Sequence, residues 1–388
     1  MNVLMIGIGA QVITGLGGDA QERHIEYAKR AGSLTMIVSS FRHDKLKPVR
    51  LSEHLMAYPT NSRNKPLFLW DAYQIGIRIC RREKIDLIVT QDPFSTGLVG
   101  YLLKRRFSTP LIISNHSFFL DNPYWLAEKP LQYFLFNQLG KRLIHKADGL
   151  RVVNRAEKEK YIALGVPPER IWFLPTPVSI EHFITYSPSK ELTTLCNRWD
   201  LHGKRILLWV GHPRQAFKDL ETLFQAFRKV IQSIEEVKLI LLGDFSQAPH
   251  HVYRVRELGL QDHVIFPGLI TYRELPLYYH LCDLYVHSSR YEGLAKVMVE
   301  AAASAKAIVS TRIPGIDDIV QEGLTGLLAP IEDSDTLAGH ILCLLKNPDQ
   351  AKRMGDAAKQ FVQQRFRRET MINAIVRMWR QVVCNYKR

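Results

Sequence analysis

Two glutamates separated by seven residues stand out in the stretch SSRYEGLAKVMVEAAASAKAIVS. Glu292 follows a predicted strand that ends at His287 and lies in a polar loop, where its carboxylate could accept hydrogen bonds from a sugar. Glu300 lies about two turns further along, on the predicted helix, where it could accept hydrogen bonds from ribose hydroxyls. For either glutamate alone, complementing the helix dipole or facing solvent is the simpler explanation. The ordered string as a whole favours a site that binds a sugar and a ribose.

Between these glutamates the chain is predicted to begin a helix. The backbone N–H groups of Gly293, Leu294, Ala295 and Lys296 would form its first turn and point at the end of the sheet, where unpaired N–H groups bind phosphate. We therefore expect these four residues to contact a bound donor. The Lys296 ammonium group could add a phosphate contact or point to solvent.

Two cations lie four residues apart in WVGHPRQAFKDL, directly after the first predicted strand of the second half. Arg214 and Lys218 beside two phosphates would offset the negative charge that grows on a leaving diphosphate. The alternative is a pair of loop cations on a solvated face. Because both follow the carboxyl end of a strand, the pattern favours the phosphate role.

The first half contains further candidates at strand ends. His116, in SNHSFF, could orient a sugar or assist proton transfer, although a lone histidine is often structural. Gly17 and Gly18, in GLGGDAQ, permit close approach of the backbone to a phosphate or a sugar.

These candidates need a scaffold that brings strand ends together. Short apolar runs alternate with helical stretches along most of the chain, which is typical of βαβ units on a parallel sheet covered on both faces. The predicted strands of the first half are Val3–Ile8, Thr35–Val38, Leu87–Thr90, Leu111–Ser114 and Gly149–Val153. Those of the second half are Arg205–Val210, Lys238–Leu242, Val264–Phe266, Leu284–His287, Ala307–Ser310 and Gly326–Leu328.

The pattern predicts an α/β protein with two doubly wound, Rossmann-like domains in tandem. Residues 1–184 form the first domain, the polar segment 185–204 is a linker, and residues 205–364 form the second domain. Residues 365–388 form a long helix that we expect to pack back on the first domain. Ligands of such sheets bind outside the carboxyl ends of the strands, so we expect the site in the crevice between the domains.

The string around Glu292 and Glu300 resembles the E-x7-E signature of retaining glycosyltransferases of the GT-B fold, specifically glycosyltransferase family 4. The resemblance covers nearly the whole chain, because ADGLRVVNRAEKEKYIALGVPPERIWFLPTPV, LYYHLCDLYVHSS and GIDDIVQEGLTGLLAP follow the family's order and spacing. It implies transfer of a hexosyl group from a UDP- or GDP-linked sugar to an acceptor. The anomeric configuration would be retained, and neither a metal nor another cofactor would be needed.

The resemblance also implies roles for individual residues. Glu292 would contact the donor hexose, and Glu300 would contact the ribose. Arg214 and Lys218 would hold the diphosphate, while His116 would lie beside the transferred sugar. Gly17 would approach the same sugar from the first domain.

The sequence departs from the family's pattern at three places. His212 stands where the family usually has an arginine, which weakens the assignment of Arg214. Ala295 replaces a second glycine, and Thr176-Pro177 replaces an Asn-Gly pair before the linker.

Charge is unevenly distributed along the 388 residues. The formal net charge is +14, of which residues 1–160 carry +10, residues 161–364 carry −2 and residues 365–388 carry +6. A diphosphate needs only a few cations, so the excess points to the acceptor side. Two segments, 67–84 and 123–146, are basic and rich in aromatics. They predict either a surface that lies on an anionic membrane or helices with an apolar face on the core and a basic face in solvent. We expect a glycan or lipid-linked acceptor and no nucleic-acid partner.

The five cysteines are widely spaced and form no CxxC pair, which favours a reducing compartment. The first 18 residues lack charge and are predicted to form a buried strand and a Gly-rich turn, and no apolar run elsewhere reaches the length of about 18 residues that a transmembrane helix needs. These features predict a cytoplasmic protein, with peripheral attachment to the inner face of the membrane as an option.

Three alternatives stay open. The Asp333-Ser334-Asp335 triplet could indicate a metal-dependent GT-A transferase, although too little chain follows it and a helix N-cap is favoured. The basic charge alone could indicate a nucleic-acid-binding protein, but no helix-turn-helix, RNP or zinc-finger pattern supports this. A catalytically degenerate transferase kept as a scaffold is the third, and the intact pair of Glu292 and Glu300 argues against it.

Overall fold

The computed structural model describes residues 1–7, 9–15, 19–187 and 190–387. Its chain divides into two compact units. The first comprises Met1–Pro177 together with Arg368–Arg388, and the second comprises Val178–Arg367. Each unit is a sheet with helices on its faces, as the alternating pattern predicts.

The first unit is built on an eight-stranded sheet. Its strands are β1 (Asn2–Gly7), β2 (Ser33–Val38), β3 (Val49–Ser52), β4 (Leu55–Pro59), β5 (Leu87–Thr90), β6 (Leu111–Ser114), β7 (Gly149–Val152) and β8 (Ile171–Phe173). They lie in the order β3-β4-β2-β1-β5-β6-β7-β8, and β3 pairs antiparallel with β4 while the other pairs are parallel. All five predicted strands are present. The sequence did not predict β3, β4 and β8, which lie toward the sheet edges and lack a continuous buried run.

Within the described residues, seven α-helices precede the second unit. They are α1 (Gln11–Thr14), α2 (Ala20–Ala31), α3 (Leu67–Arg82), α4 (Ser95–Phe107), α5 (Pro123–Glu128), α6 (Pro130–Ile144) and α7 (Arg155–Ala163). The connections from β5 through α4 to β6, and from β6 through α5 and α6 to β7, are βαβ crossovers of parallel strands.

The second unit contains a six-stranded parallel sheet. Its strands are β9 (Arg205–Val210), β10 (Val237–Leu242), β11 (Val264–Gly268), β12 (Leu284–His287), β13 (Ala307–Thr311) and β14 (Gly326–Ala329), in the order β11-β10-β9-β12-β13-β14. Leu207, Leu208 and Trp209 are all fully buried, and successive residues enter different hydrophobic clusters. Both faces of this sheet are therefore covered, which explains why its strands are continuous apolar runs.

The helices of the second unit are α8 (Glu181–Ile184), α9 (Lys190–Trp199), α10 (Leu220–Ser233), α11 (Pro249–Glu257), α12 (Leu275–Leu281), α13 (Lys296–Ala303), α14 (Ser334–Lys346) and α15 (Pro348–Arg365). Helix α9 occupies the middle of the segment 185–204, for which we expected a linker. Its Leu195 and the following Leu201 join the core of the second unit, so α9 and the residues directly after it are folded against that unit.

The last helix, α16 (Arg368–Tyr386), belongs to the first unit. It packs against α2, and Ile375, Met378, Trp379 and Val382 enter the core beside β1 and β2. Among the described residues, no helix combines the length and the apolar character needed to cross a bilayer.

Candidate active site

The loop after β9 turns tightly against the loop after β10. A Cβ atom on Gly243 would lie 2.3 Å from the carbonyl oxygen of Gly211, so this contact requires glycine. The chain then forms a 3₁₀ turn over Ala216–Lys218. The next residue, Asp219, has a φ of 46° and caps α10, with its carboxylate accepting the Thr222 hydroxyl at 2.7 Å. The turn and the cap together fix where Lys218 leaves the backbone.

The same turn is bonded to the loop that follows β12, the neighbouring strand. The Ser288 hydroxyl donates to the Lys218 carbonyl oxygen at 2.9 Å, and the Arg290 N–H donates to the Phe217 carbonyl oxygen at 2.7 Å. Arg290 also contacts the Asp219 carboxylate at 3.3 Å through its guanidinium group. Two loops that are about seventy residues apart in sequence are thus held side by side at the carboxyl edge of the sheet.

This arrangement brings Lys218 and Glu292 into a buried ion pair. Lys218 Nζ lies 2.6 Å from Glu292 Oε1, and the two side chains are only 9% and 12% exposed. Ser289 Oγ donates to the same carboxylate oxygen at 2.9 Å, and His287 Nε2 lies 3.3 Å from it. One carboxylate is therefore surrounded by an ammonium group, a hydroxyl and an imidazole.

These neighbours decide the charge of Glu292. Burial alone would raise the pKa of this carboxyl group, but Lys218 and His287 outweigh burial and lower the pKa to about 2. Burial lowers the pKa of His287 below its ordinary value, in spite of Glu292 beside it. The Tyr285 hydroxyl lies 3.2 Å from His287 Nδ1 and could donate to it, which leaves Nε2–H to face the carboxylate. At neutral pH the cluster holds a carboxylate, an ammonium group and a neutral imidazole.

Glu300 is buried, which excludes the alternative of a solvated helix residue. It is 3% exposed, and the Tyr279 hydroxyl donates to its Oε2 at 3.2 Å. The hydroxyl also lies 3.0 Å from the Val297 carbonyl oxygen. Burial raises the pKa of Tyr285, and the negative charges of Glu292 and Glu300 raise it further.

Helix α13 begins later than predicted. Gly293, Leu294 and Ala295 precede it, and Lys296 is its first residue. The Lys296 N–H donates to the Leu294 carbonyl oxygen at 2.8 Å, so this N–H is already occupied within the loop. Ala295 is buried in the hydrophobic core of the second unit, and Lys296 is half-buried at the helix start.

The two predicted phosphate-binding cations have different environments. Lys218 is buried in the cluster, whereas Arg214 is exposed and makes no ion pair within the described part of the chain. Further along the same edge, the loops after β10 and β11 line a cavity of about 410 Å³, with Phe245, Pro249 and Phe266 among its walls.

In the first unit, His116 follows β6 and is half-buried. Its Nδ1 lies 3.5 Å from Thr176 Oγ1, and its buried Nε2 has no hydrogen-bond partner in the described residues. Burial lowers the pKa of His116 well below the ordinary value, and the positive charges of Arg151 and Arg23 lower it further. Gly17 and Gly18 lie outside the described residues.

The Asp333-Ser334-Asp335 triplet begins α14. Asp333 is the N-cap, and its carboxylate accepts the N–H groups of Asp335 and Thr336 at 3.0 and 2.9 Å. This confirms the N-cap interpretation. The described residues contain no group of three histidine, cysteine or acidic side chains placed to hold a metal ion.

Several residues of the site were not predicted from the sequence. Ser289 and His287 stand in the quoted string but have no recognisable spacing of their own, and Tyr279 belongs to another helix. A signal for His287 was available, because it is a polar residue at the end of an apolar strand. No signal linked Tyr279 to Glu300, since their contact depends on how α12 packs against α13.

Comparison with known proteins places the chain in a family. A model of Glycosyltransferase Family 4 matches residues 24–182, and a model of Glycosyl transferases group 1 matches residues 197–361. The N-acetyl-alpha-D-glucosaminyl L-malate synthase of Bacillus anthracis is 26% identical over 95% of both chains. The alpha-monoglucosyldiacylglycerol synthase of Streptococcus pneumoniae is 26% identical over 73% of this chain, and the alignment spans 64% of that enzyme.

Solved structures share the fold. Sucrose-phosphate synthase from Thermosynechococcus elongatus has a TM-score of 0.84 at 20% identity and covers 99% of this chain and all of its own. The Anabaena protein HepE, solved with UDP-glucose, has a TM-score of 0.76 at 18% identity, covering 97% of this chain and 98% of its own. The two family models together span most of the sequence, and both units have the predicted doubly wound sheets. The chain is a glycosyltransferase of the GT-B fold and belongs to the group 1, or family 4, glycosyltransferases.

Proposed function

We propose that this enzyme transfers a hexosyl group from a nucleotide-diphosphate sugar to an acceptor, with retention of anomeric configuration and without a metal ion. The observation that carries the proposal is the buried pair of Lys218 and Glu292 at the carboxyl edge of the second sheet. Both residues occupy positions at which the family resemblance implies donor contacts. The HepE structure holds UDP-glucose, which supports a nucleotide sugar as the class of donor.

The pair suits donor binding because an ammonium group has three N–H donors. One of them bonds Glu292, and the others remain for the diphosphate, so Lys218 could hold the carboxylate and the leaving group together. Glu292, charged at neutral pH, would accept hydrogen bonds from the hexose hydroxyls. Lys218 would stabilise the negative charge that develops on the β-phosphate as the glycosidic bond breaks.

In the proposed reaction, the acceptor hydroxyl oxygen forms a bond to the anomeric carbon while the bond from that carbon to the β-phosphate oxygen breaks. The hydroxyl proton passes to a phosphate oxygen, and the nucleoside diphosphate leaves. Attack and departure on the same face would give retention. No protein side chain has to form a covalent bond to the sugar.

The first test is a thermal-shift panel of UDP- and GDP-linked hexoses on the full chain. A ligand at about a hundred times its dissociation constant adds about 2.7 kcal/mol to stability, which raises the melting temperature measurably. The stabilising donor is then incubated with EDTA and candidate acceptors, and NMR identifies the anomeric configuration of the product. Binding without transfer or hydrolysis would support the degenerate scaffold instead, and an inverted product would contradict retention.

We further infer that the acceptor is presented at an anionic membrane surface. The predicted segment 123–146, which mixes aromatic and basic residues, forms α5 and α6. Its large apolar side chains fall into a buried group and an exposed group. Trp125, Tyr133 and Phe136 take part in a stacked aromatic cluster around Phe94. By contrast Leu131, Phe134 and Leu135 on α6 are 77%, 53% and 59% exposed.

We call these three exposed residues the α6 patch. Lys129 adjoins the patch and Arg142 lies toward the far end of the same helix, and both are exposed. Apolar side chains beside basic groups suit an anionic bilayer, where each basic residue near the surface contributes about 1 kcal/mol. The diacylglycerol-linked product in the name of the Streptococcus pneumoniae relative supports a lipid acceptor.

The membrane proposal is tested by flotation with vesicles of phosphatidylcholine alone or with added phosphatidylglycerol. We expect binding to the anionic vesicles and loss of that binding when Leu131, Phe134 and Leu135 are all changed to serine. Leu324→Ser is the matched control, because Leu324 is 56% exposed on the second unit. Equal binding of the triple variant and the wild type would overturn the proposal.

A further inference from the structure

Three basic side chains of the first unit meet one short segment, Leu174–Pro177, directly after β8. Arg151 donates from Nε to the Leu174 carbonyl oxygen at 2.9 Å and from Nη2 to the Pro175 carbonyl oxygen at 3.0 Å. The next residues are contacted by His116, at 3.5 Å from Thr176 Oγ1, and by Arg23, whose Nη1 lies 3.5 Å from the Pro177 carbonyl oxygen. This segment contains the Thr176-Pro177 departure noted in the sequence.

The cluster lies at the carboxyl edge of the first sheet, where ligands of doubly wound sheets bind. Arg151 is the third residue of the four-residue strand β7, and the Asn115 N–H, directly after β6, donates to its carbonyl oxygen at 2.8 Å. His116 is the next residue of that loop. His24, on α2, completes the cluster, and its Nε2 lies 3.4 Å from the Gln91 amide nitrogen after β5.

Arg151 is a buried cation without a carboxylate partner in the described part of the chain. It is 5% exposed, and both of its hydrogen bonds go to neutral carbonyl oxygens. Buried charges are normally paired, because desolvation of an isolated charge is costly. Arg23 provides the contrast, since its guanidinium group lies 2.6 Å from the Asp19 carboxylate.

Burial lowers the pKa of both histidines beside Arg151, and the positive charges of Arg151 and Arg23 lower it further. Burial and then Arg23 lower the pKa of His24 to about 4, and the shift at His116 has the same direction. Both imidazoles are therefore neutral at pH 7. The His116 Nε2 atom is buried and has no hydrogen-bond partner among the described residues.

We propose that Arg151 and His116 Nε2 bind an oxyanion, a phosphate or carboxylate group carried by the acceptor substrate. This role for His116 Nε2 differs from the contact with the transferred sugar that the family resemblance implies. A planar guanidinium group fits such a group with two parallel hydrogen bonds, and Arg151 still has N–H groups for this purpose. The oxyanion would supply the missing counter-charge. The assignment of this oxyanion to the acceptor rests on the proposed transferase function, whereas the anion site itself does not.

The experiment titrates the full-length wild-type chain, without donor, with inorganic phosphate and separately with succinate at constant ionic strength. NMR follows the imidazole nitrogens of His116, assigned by comparison with His116→Gln. We expect a saturable shift with a dissociation constant of about 1 mM for at least one of the two anions. Phosphate and succinate distinguish the two kinds of oxyanion, and the absence of saturation with both would overturn the proposal.

A matched pair of variants separates the site from general surface charge. Arg151→Gln removes the charge but keeps an amide donor for the carbonyl oxygens of Leu174 and Pro175. It should weaken anion binding at least tenfold, a factor that corresponds to about 1.4 kcal/mol. Arg170→Gln makes the same charge change at an exposed position of this unit and should leave binding unchanged. Equal weakening by both variants would overturn the proposal, and if Arg151→Gln fails to fold, the wild-type titration decides alone.

A final arm distinguishes the acceptor's oxyanion from the donor's diphosphate. The phosphate or succinate titration is repeated with UDP or GDP at saturation, whichever raises the melting temperature. Unchanged anion binding supports an acceptor site, and displacement by the nucleotide overturns that assignment. Failure of the proposed transferase function would instead show as absent nucleotide-sugar binding, which this titration does not require.

Discussion

Each unit buries a glutamate beside the carboxyl edge of its sheet. At neutral pH one of these glutamates is negatively charged and the other is uncharged. In the second unit, Lys218 and His287 lower the pKa of Glu292 to about 2 in spite of burial. In the first unit, burial raises the pKa of Glu157 to about 8. Glu157 accepts from the Asn115 amide, which also donates to the Tyr161 hydroxyl at 2.8 Å.

The side chains around the two glutamates, rather than the depth of burial, explain the difference between their pKa values. The Lys218 ammonium group lies 2.6 Å from Glu292, whereas Lys160, near Glu157, donates to the Leu120 carbonyl oxygen at 2.6 Å. The pKa of Glu157 therefore stays above neutral, and this residue bonds its neighbours as an uncharged acid. A buried glutamate becomes a charged binding group only where the fold turns a cation onto it.

The largest expected effect concerns catalysis. We expect Glu292→Gln to lower kcat/KM for transfer about 1000-fold, because under the proposed function the hexose loses hydrogen bonds to a charged carboxylate, and these bonds strengthen in the transition state. Nucleotide affinity should stay within a few fold of the wild type or rise, since Lys218 then lacks its carboxylate. Steady-state kinetics and nucleotide titration measure both quantities.

Glu157→Gln is the control for that variant. The amide replaces a protonated acid of the same shape, so transfer should stay close to the wild-type rate. An equal loss of activity in the two variants would remove the distinction between a charged functional glutamate and an uncharged structural one.

Stability should respond to pH with opposite signs at these two sites. The pKa of Glu292 is depressed from an ordinary 4.5 to about 2, so its contribution is present above about pH 5 and is lost as the pH falls toward 2. The size of this contribution is about 3 kcal/mol. Glu292→Gln should therefore reduce the free energy of unfolding at pH 7, and the deficit should shrink as the pH falls.

Glu157 has a raised pKa, so its contribution is fully present below about pH 4.5 and is lost as the pH rises through 8. Glu157→Gln should gain stability relative to the wild type between pH 5 and pH 8. Urea unfolding of the wild type and both variants from about pH 3 to pH 8 covers the titration windows of both glutamates and measures the differences. Difference curves of the same slope for the two variants would contradict the assigned charge states.

The sequence was sufficient to predict the scaffold and the elements that carry the site, but not the side-chain partners. Strand β9 and its loop, and strand β12 and its loop, follow from continuous apolar runs that end in polar residues. Lys218 meets Glu292 because β9 and β12 are neighbours in the sheet. This strand order depends on contacts between residues far apart in sequence, which the sequence pattern does not reveal. The same holds for Asn115 and Glu157, whose motifs stand 42 residues apart.

Local details of backbone geometry were also beyond the sequence. Arg214 and Lys218 have similar chemistry and were predicted together, yet only Lys218 points into the cluster, because a 3₁₀ turn and the cap at Asp219 orient it. The start of α13 was predicted at Gly293, whereas the loop closes through the Leu294 carbonyl oxygen and the helix begins at Lys296.

The contrast between the two cations gives the next prediction. We expect Lys218→Met to weaken binding of the nucleoside diphosphate about 30-fold, because it removes charge-assisted hydrogen bonds from a buried position. Arg214→Met should weaken binding only a few fold, since its exposed charge is screened by solvent. Calorimetric titration measures both affinities, and a larger loss for Arg214→Met would assign the phosphate contact to the exposed loop.

The smallest effect concerns Glu300, another buried carboxylate of the second unit. The Tyr279 hydroxyl donates to Glu300 at 3.2 Å, so Tyr279→Phe should leave one carboxylate oxygen without this donor and cost about 1 kcal/mol of stability. If the ribose contact implied by the family resemblance is correct, a bound ribose donates to the same carboxylate and replaces part of the lost bond. Nucleotide at saturation should therefore narrow the difference in melting temperature between Tyr279→Phe and the wild type, beyond the stabilisation that both share.

Cys282→Ala is the control, because Cys282 is also buried in this core but has no hydrogen bond that a ligand could replace. This variant should show the same deficit in melting temperature with and without nucleotide. If the Tyr279→Phe deficit is equally insensitive to nucleotide, Glu300 is a structural acceptor for Tyr279 and the ribose contact lies elsewhere.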